Sequence, residues 1–127
     1  MRYLLALYGD ENAQPDGPPD PATLIEPWTE YDKKITTAGV FVAGEALTES
    51  STATTLRIGA GGEQVVTDGP FAETKEQLGD FYLLDCKDLD EAIEWAKQLP
   101  MDQGAVEIRP VMDYSQFGYE HPDEATR

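Results

Sequence analysis

Val65-Val66-Thr67-Asp68-Gly69-Pro70-Phe71-Ala72-Glu73-Thr74-Lys75-Glu76-Gln77-Leu78-Gly79-Asp80-Phe81 is the stretch around which the rest of the chain can be ordered. A β-branched run stops at an acid, a glycine and a proline, charged residues follow, and a second apolar run begins at Gly79. Such a sequence ends one strand and starts another. The acid is hard to satisfy locally. A turn Asp usually accepts from the backbone N–H two residues on, and here that residue is Pro70, which has none. Asp68 is therefore expected to be partly buried at a strand end, with one carboxylate oxygen on nearby backbone or an arginine and the other facing a cavity.

Downstream, Gly79 to Cys86 is apolar on both alternating faces, as is the first run, where Tyr3, Leu5 and Leu7 alternate with Leu4, Ala6 and Tyr8. Strands of this kind are covered on both sides and lie centrally in a sheet. Upstream, Thr54–Ile58 and Glu63–Thr67 flank Gly59-Ala60-Gly61-Gly62 and read as a hairpin. Before it, Val40–Leu47 reads as a strand that follows a helix ended by Gly39. That helix carries Leu24, Trp28, Tyr31, Ile35 and Ala38 at helical spacing, with Thr23 and Glu26 as a capping box and Pro27 in its first turn. A second box, Asp88 to Glu91, opens a helix with the stripe Leu89, Ala92, Ile93, Ala96, Leu99 before Pro100. Ala105–Met112 alternates as a last strand, Pro110 suiting an edge or strand end. Asp10–Pro21 reads as an exposed proline-rich loop. The tail 113–127 has no assigned place.

The order strand, helix, strand, hairpin, strand, helix, strand is that of a ferredoxin-like split β-α-β repeat with an inserted β-hairpin, an α+β fold. Its two helices cover one sheet face. The other presents apolar side chains of both central strands, which predicts a homodimer through that face.

With 127 residues the chain makes one domain, residues 1–127, large enough to bury a core without disulfides or a structural metal. Cys86 stands alone in an apolar strand and reads as a small buried hydrophobe. The first apolar run is too short for a signal segment or membrane span, so a soluble, cytoplasmic protein is expected. Twenty-five acids against 9 bases, net −16, weigh against direct nucleic-acid binding, which needs a clustered positive face. The glycines at 59–62 lack the strand-to-helix context and lysine of a phosphate loop. His121, the lone histidine, reads as a solvated tail residue, and no metal site is assigned.

What remains are polar residues inside or at the ends of apolar strands: Glu45, Arg57, Asp68, Glu107 and Arg109. Charges there must pair or face a wet cavity. In one reading Glu45 or Asp68 pairs with Arg57 or Arg109 and holds strand register. In the other, these groups line a pocket between the sheet and the first helix, beside Tyr8, Trp28 and Tyr31, with apolar walls and a few convergent polar groups. Tyr31 and Trp28 lie on an amphipathic stripe, so each is either core or a ligand contact. Lys75 reads as a solvated loop lysine. Two functions follow. The first is a small-molecule enzyme needing no cofactor, in which Asp68 or Glu45 moves a proton and Arg57 or Arg109 stabilises the resulting anion. The second is a non-catalytic dimer that binds a metabolite or a regulatory partner.

From Tyr3-Leu4-Leu5 through Gly44-Glu45-Ala46-Leu47 and Thr67–Glu76 to Val106-Glu107-Ile108-Arg109-Pro110, the chain resembles the DGPF-domain branch of the YCII-related proteins, named for the tetrapeptide Asp68-Gly69-Pro70-Phe71. The resemblance implies a dimeric α+β barrel, in which two ferredoxin-like sheets pack face to face. Short relatives are thought to use a His–Asp pair. The first helix here has Trp28 and Asp32 in that neighbourhood and no histidine, so the pair does not carry over, and Asp68 is the acid the resemblance transfers. It also implies an accessory role linked to extracytoplasmic-function sigma factors.

Overall fold

The structure is a computed structural model that describes residues 1–13 and 21–120. Residues 14–20 of the expected proline-rich loop, and His121, lie outside the described residues. The elements are β1 (Arg2–Gly9), α1 (Pro21–Thr37), β2 (Phe41–Ala46), β3 (Thr54–Ile58), β4 (Gln64–Asp68), β5 (Gln77–Asp85), α2 (Leu89–Ala96) and β6 (Ala105–Pro110), with short 3₁₀ turns at Ser50–Thr52 and Tyr114–Phe117. The main sheet runs β2-β5-β1-β6 with every neighbour antiparallel, and β3 pairs only with β4. This is the α+β, ferredoxin-like arrangement with an inserted hairpin, and the two strands apolar on both faces are the central ones.

Alternation along the strands sorts the side chains. Tyr3, Leu5 and Leu7 of β1 and Tyr82 and Leu84 of β5 point to the helices, where they pack with Tyr31, Ile35, Val40, Cys86, Ala92 and Leu99. Leu5, Ile35 and Leu84 are completely buried. Burial also pushes the Cys86 thiol up to about 11, so this cysteine behaves as a core hydrophobe. On the opposite face, Leu4 lies across from Leu83 and Ala6 across from Phe81, flanked by Glu107 and Arg109 of β6. Leu4, Phe81 and Leu83 are only half-buried there.

Two expectations shift locally. Helix α1 begins at Pro21, two residues before the Thr23–Glu26 box, so Pro27 falls in its second turn. Proline is common at a first helical position because the N–H there has no intrahelical partner. Helix α2 stops at Ala96 although Leu99 is buried, the chain continuing in tight turns to Pro100. Its start is as expected: Asp88 accepts from the Glu91 N–H at 2.9 Å while Glu91 Oε1 accepts from the Lys87 N–H at 2.8 Å.

Candidate functional site

The acid that the fold singles out is Asp80. On β5 it lies in phase with Tyr82 and Leu84 and opposite Leu7, so it is on the helix-facing side of a central strand. The register between β1 and β5 slips there: Leu7 faces Asp80 and Tyr8 faces Leu78, which leaves Gly79 as the extra residue of a bulge. Bulges of this kind re-aim side chains. The Gly79 carbonyl accepts from the Leu47 N–H at 2.7 Å, which anchors the bulge to the end of β2. Asp80 is half-buried, and burial raises its carboxyl above the ordinary value. Among the described residues it has no ion-pair partner.

Two clefts meet at this residue. One, of about 430 Å³, runs between α1 and the β2–β5 edge and is lined by Trp28, Asp32, Phe41, Gly44, Asp80 and Tyr82 among others. The second, about 530 Å³, lies on the other side of Trp28 against Tyr8, Gln77, Met101 and Gln103. Asp80, Trp28 and Leu24 line both. Tyr82 donates to Asp32 Oδ1 at 2.7 Å, and its ring stacks on Tyr31 with centroids 5.4 Å apart. Burial, reinforced by that hydrogen bond, holds the Tyr82 phenol protonated well above its usual range. Gly44 makes room for the ring: a Cβ there would stand 2.7 Å from Tyr82 Cδ1.

Of the residues singled out from sequence, Trp28 lines both clefts, Glu45 lines the first and Tyr8 the second. Tyr31 lines neither cleft. It is 3% exposed, and its hydroxyl donates to the Trp95 carbonyl at 3.0 Å, which makes it core that ties α1 to α2. Arg109 is drawn to its strand neighbour Glu107, Nη2 to Oε1 3.1 Å, since residues two apart in a strand share a face. Arg57 is exposed on the hairpin and donates to the Phe71 carbonyl. Neither arginine lines a cleft at α1, so neither is placed to stabilise an anion there, and the expected pairing with Glu45 or Asp68 is not made.

Asp68 also departs from expectation. It is exposed at the end of β4, opposite Thr54, and among the described residues its carboxylate has no hydrogen-bond partner. The turn is held by backbone instead. Gly69, at φ +96°, donates its N–H to the Ala53 carbonyl and accepts from Thr55 Oγ1, both at 2.7 Å, so the turn is pinned without the Asp68 side chain. Pro70 and Phe71, rather than Asp68, line a cavity of about 570 Å³ beside Tyr8 and Leu78.

Asp32, Asp80 and Tyr82 are the site residues that sequence reasoning passed over. The signal for Asp80 was an acid in phase with Tyr82 and Leu84 in a strand read as apolar on both faces. Among the described residues, no three His, Cys, Asp or Glu side chains are grouped to hold a metal ion, and no helix is long and apolar enough to cross a membrane.

Residues 1–115 match the family model of the YCII-related domain. The chain belongs to the YCII-related family. It is also 37% identical over 118 residues to "Uncharacterized protein R00369" of Rhizobium meliloti (strain 1021), a match covering 90% of this chain and 94% of that protein.

Proposed function

We propose that this YCII-related protein binds a small molecule in the clefts beneath α1 and carries out cofactor-independent proton transfer there, with Asp80 as the group that moves the proton. The observation that carries the reading is a desolvated carboxyl on the helix-facing side of a central strand, set at the junction of two clefts and given no cationic partner. Acids in such places have their proton affinity moved towards neutral pH, where a general acid or base works best. Trp28 and Leu24 supply apolar walls, and the protonated Tyr82 supplies a hydroxyl held by Asp32.

In the simplest step, Asp80 carboxylate takes a proton from an acidic C–H of the substrate. The electron pair stays on the substrate, and the indole N–H of Trp28 donates to the oxygen on which charge develops. Return of the proton to another carbon completes an isomerisation and leaves the protein unchanged. Among the described residues no Lys or Arg lines either cleft, which favours a substrate that is neutral rather than anionic.

The test is proton–deuterium exchange of neutral carbonyl compounds in D₂O, followed by NMR for the wild type and for Asp80→Asn. Exchange lost by about 100-fold or more in the variant supports the reading. Exchange or binding indifferent to Asp80 refutes it. The reading includes a cytoplasmic homodimer joined through the uncovered sheet face, supported by the half-buried Leu4, Phe81 and Leu83, and sedimentation as a monomer at micromolar concentration would remove that part. Placement in the DGPF branch, with an accessory link to sigma factors, rests on the tetrapeptide resemblance.

A further inference from the structure

The cavity beside Pro70 and Phe71 adjoins the second cleft through Tyr8 and Gln77 but does not include Asp80, and its walls are built. Glu11 is gripped by Ser50 through its N–H at 2.7 Å and its hydroxyl at 2.8 Å, which ties the 47–53 segment to the end of β1. Gln77 accepts from the Glu11 N–H at 3.1 Å with its amide oxygen and donates from Nε2 to the Thr74 carbonyl. The Gly69 turn sets the third wall, and Arg57 holds the Phe71 carbonyl. Three large apolar side chains around one cavity of about 570 Å³ are left substantially exposed: Phe71 at 72%, Leu47 at 47% and Leu78 at 39%. A volume of this order suits a small organic ligand.

The polar groups of the lining choose its charge. Thr48 and Thr52 hydroxyls bond each other at 2.7 Å, and the Thr74 hydroxyl is spent on the Glu76 carbonyl. Glu49 and Glu76 also line the cavity, both are exposed, and among the described residues neither side chain has a hydrogen bond or ion pair. Among the described residues no cationic side chain lines it, and the chain carries a net charge of −16. The geometry points to a binding site for a small aromatic amine, its ring against Phe71, Leu78 and Tyr8 and its ammonium met by Glu49 and Glu76. In this inference the Asp-Gly-Pro-Phe turn serves as a wall of a binding site, and Asp68 takes no part.

The experiment is calorimetric titration of the full chain with three probes of one shape: tryptamine, indole and indole-3-acetate. Tryptamine is expected to bind more tightly than indole by about fivefold or more at low salt, with indole-3-acetate weakest. Ala72→Trp, a filling substitution at an exposed position, should abolish tryptamine binding. Glu49→Gln with Glu76→Gln should reduce tryptamine to the affinity of indole, which keeps the test valid should the tryptophan variant misfold. Asp80→Asn should leave tryptamine affinity unchanged, so failure here and failure of the proton-transfer reading are told apart. Indole-3-acetate equal to tryptamine, no tryptamine binding at millimolar concentration, or binding that survives Ala72→Trp but is lost in Asp80→Asn would each overturn the proposal.

Discussion

Asp80→Asn tests both the stability and the chemistry of the site. The change keeps side-chain shape and removes the charge. Burial raises the Asp80 carboxyl in the folded protein above its ordinary value of 3.8, so the folded state binds this proton more tightly than the unfolded chain. The sign follows by linkage. The favourable contribution of this group is fully present below the unfolded value and is lost as pH rises through the higher folded value. At neutral pH the ionised carboxylate therefore costs stability that Asn does not. A fully buried, unpaired charge would cost several kcal/mol, but Asp80 is half in water, and discounting for that leaves about 1 kcal/mol in favour of the variant. For a domain of this size that is roughly 4 °C in Tm. The assay is urea unfolding of both proteins from pH 3 to pH 8. The two should coincide near pH 3, and the variant should gain through the carboxylate range and stay ahead. A variant less stable at pH 8 would show that the charge is paired and structural, a difference constant across the range would show that folding does not desolvate the carboxyl, and with either result the site argument would fall.

Tyr82→Phe removes the hydroxyl that donates to Asp32 while keeping the stack on Tyr31. Asp32 is exposed and can be rehydrated, so the loss should be about 1 kcal/mol, and it should vanish in an Asp32→Ala background, which has no acceptor, in a double-mutant cycle. Asp68→Asn, at an exposed carboxylate without a side-chain partner, should change stability by no more than about 0.5 kcal/mol, and a drop of several degrees in Tm would contradict the placement of this residue. Gly69→Ala should cost about 1 to 2 kcal/mol, read from the urea midpoint, because the backbone sits at φ +96° while nothing lies within 4 Å of the added Cβ.

Hydrophobic period and turn chemistry were sufficient for the order of elements, because alternation and helical spacing are local properties. Two runs apolar on both faces had to be central strands, and Asp88 with Glu91 had to start a helix. The turn at Asp68-Gly69-Pro70 was equally legible, since an acid, a glycine and a proline after a β-branched run end a strand. The site was legible only in part. Trp28 and Tyr8 could be placed beside a pocket, but whether Tyr31 faced that pocket or the core depended on Trp95, whose carbonyl arrives from 64 residues away. Arg109 chose Glu107 over more distant acids for the opposite reason: the shortest path along its own strand face supplied a partner first. Composition and spacing thus determined an α+β chain, two central strands, two helices, the capped start of α2 and a turn at Asp68-Gly69-Pro70. Only the tertiary structure decided which acid is desolvated. A one-residue bulge at Gly79 sets the phase of Asp80, and packing of α1 against that strand end strips water from it, whereas Asp68 sits at the tip of an unpacked strand and keeps its own.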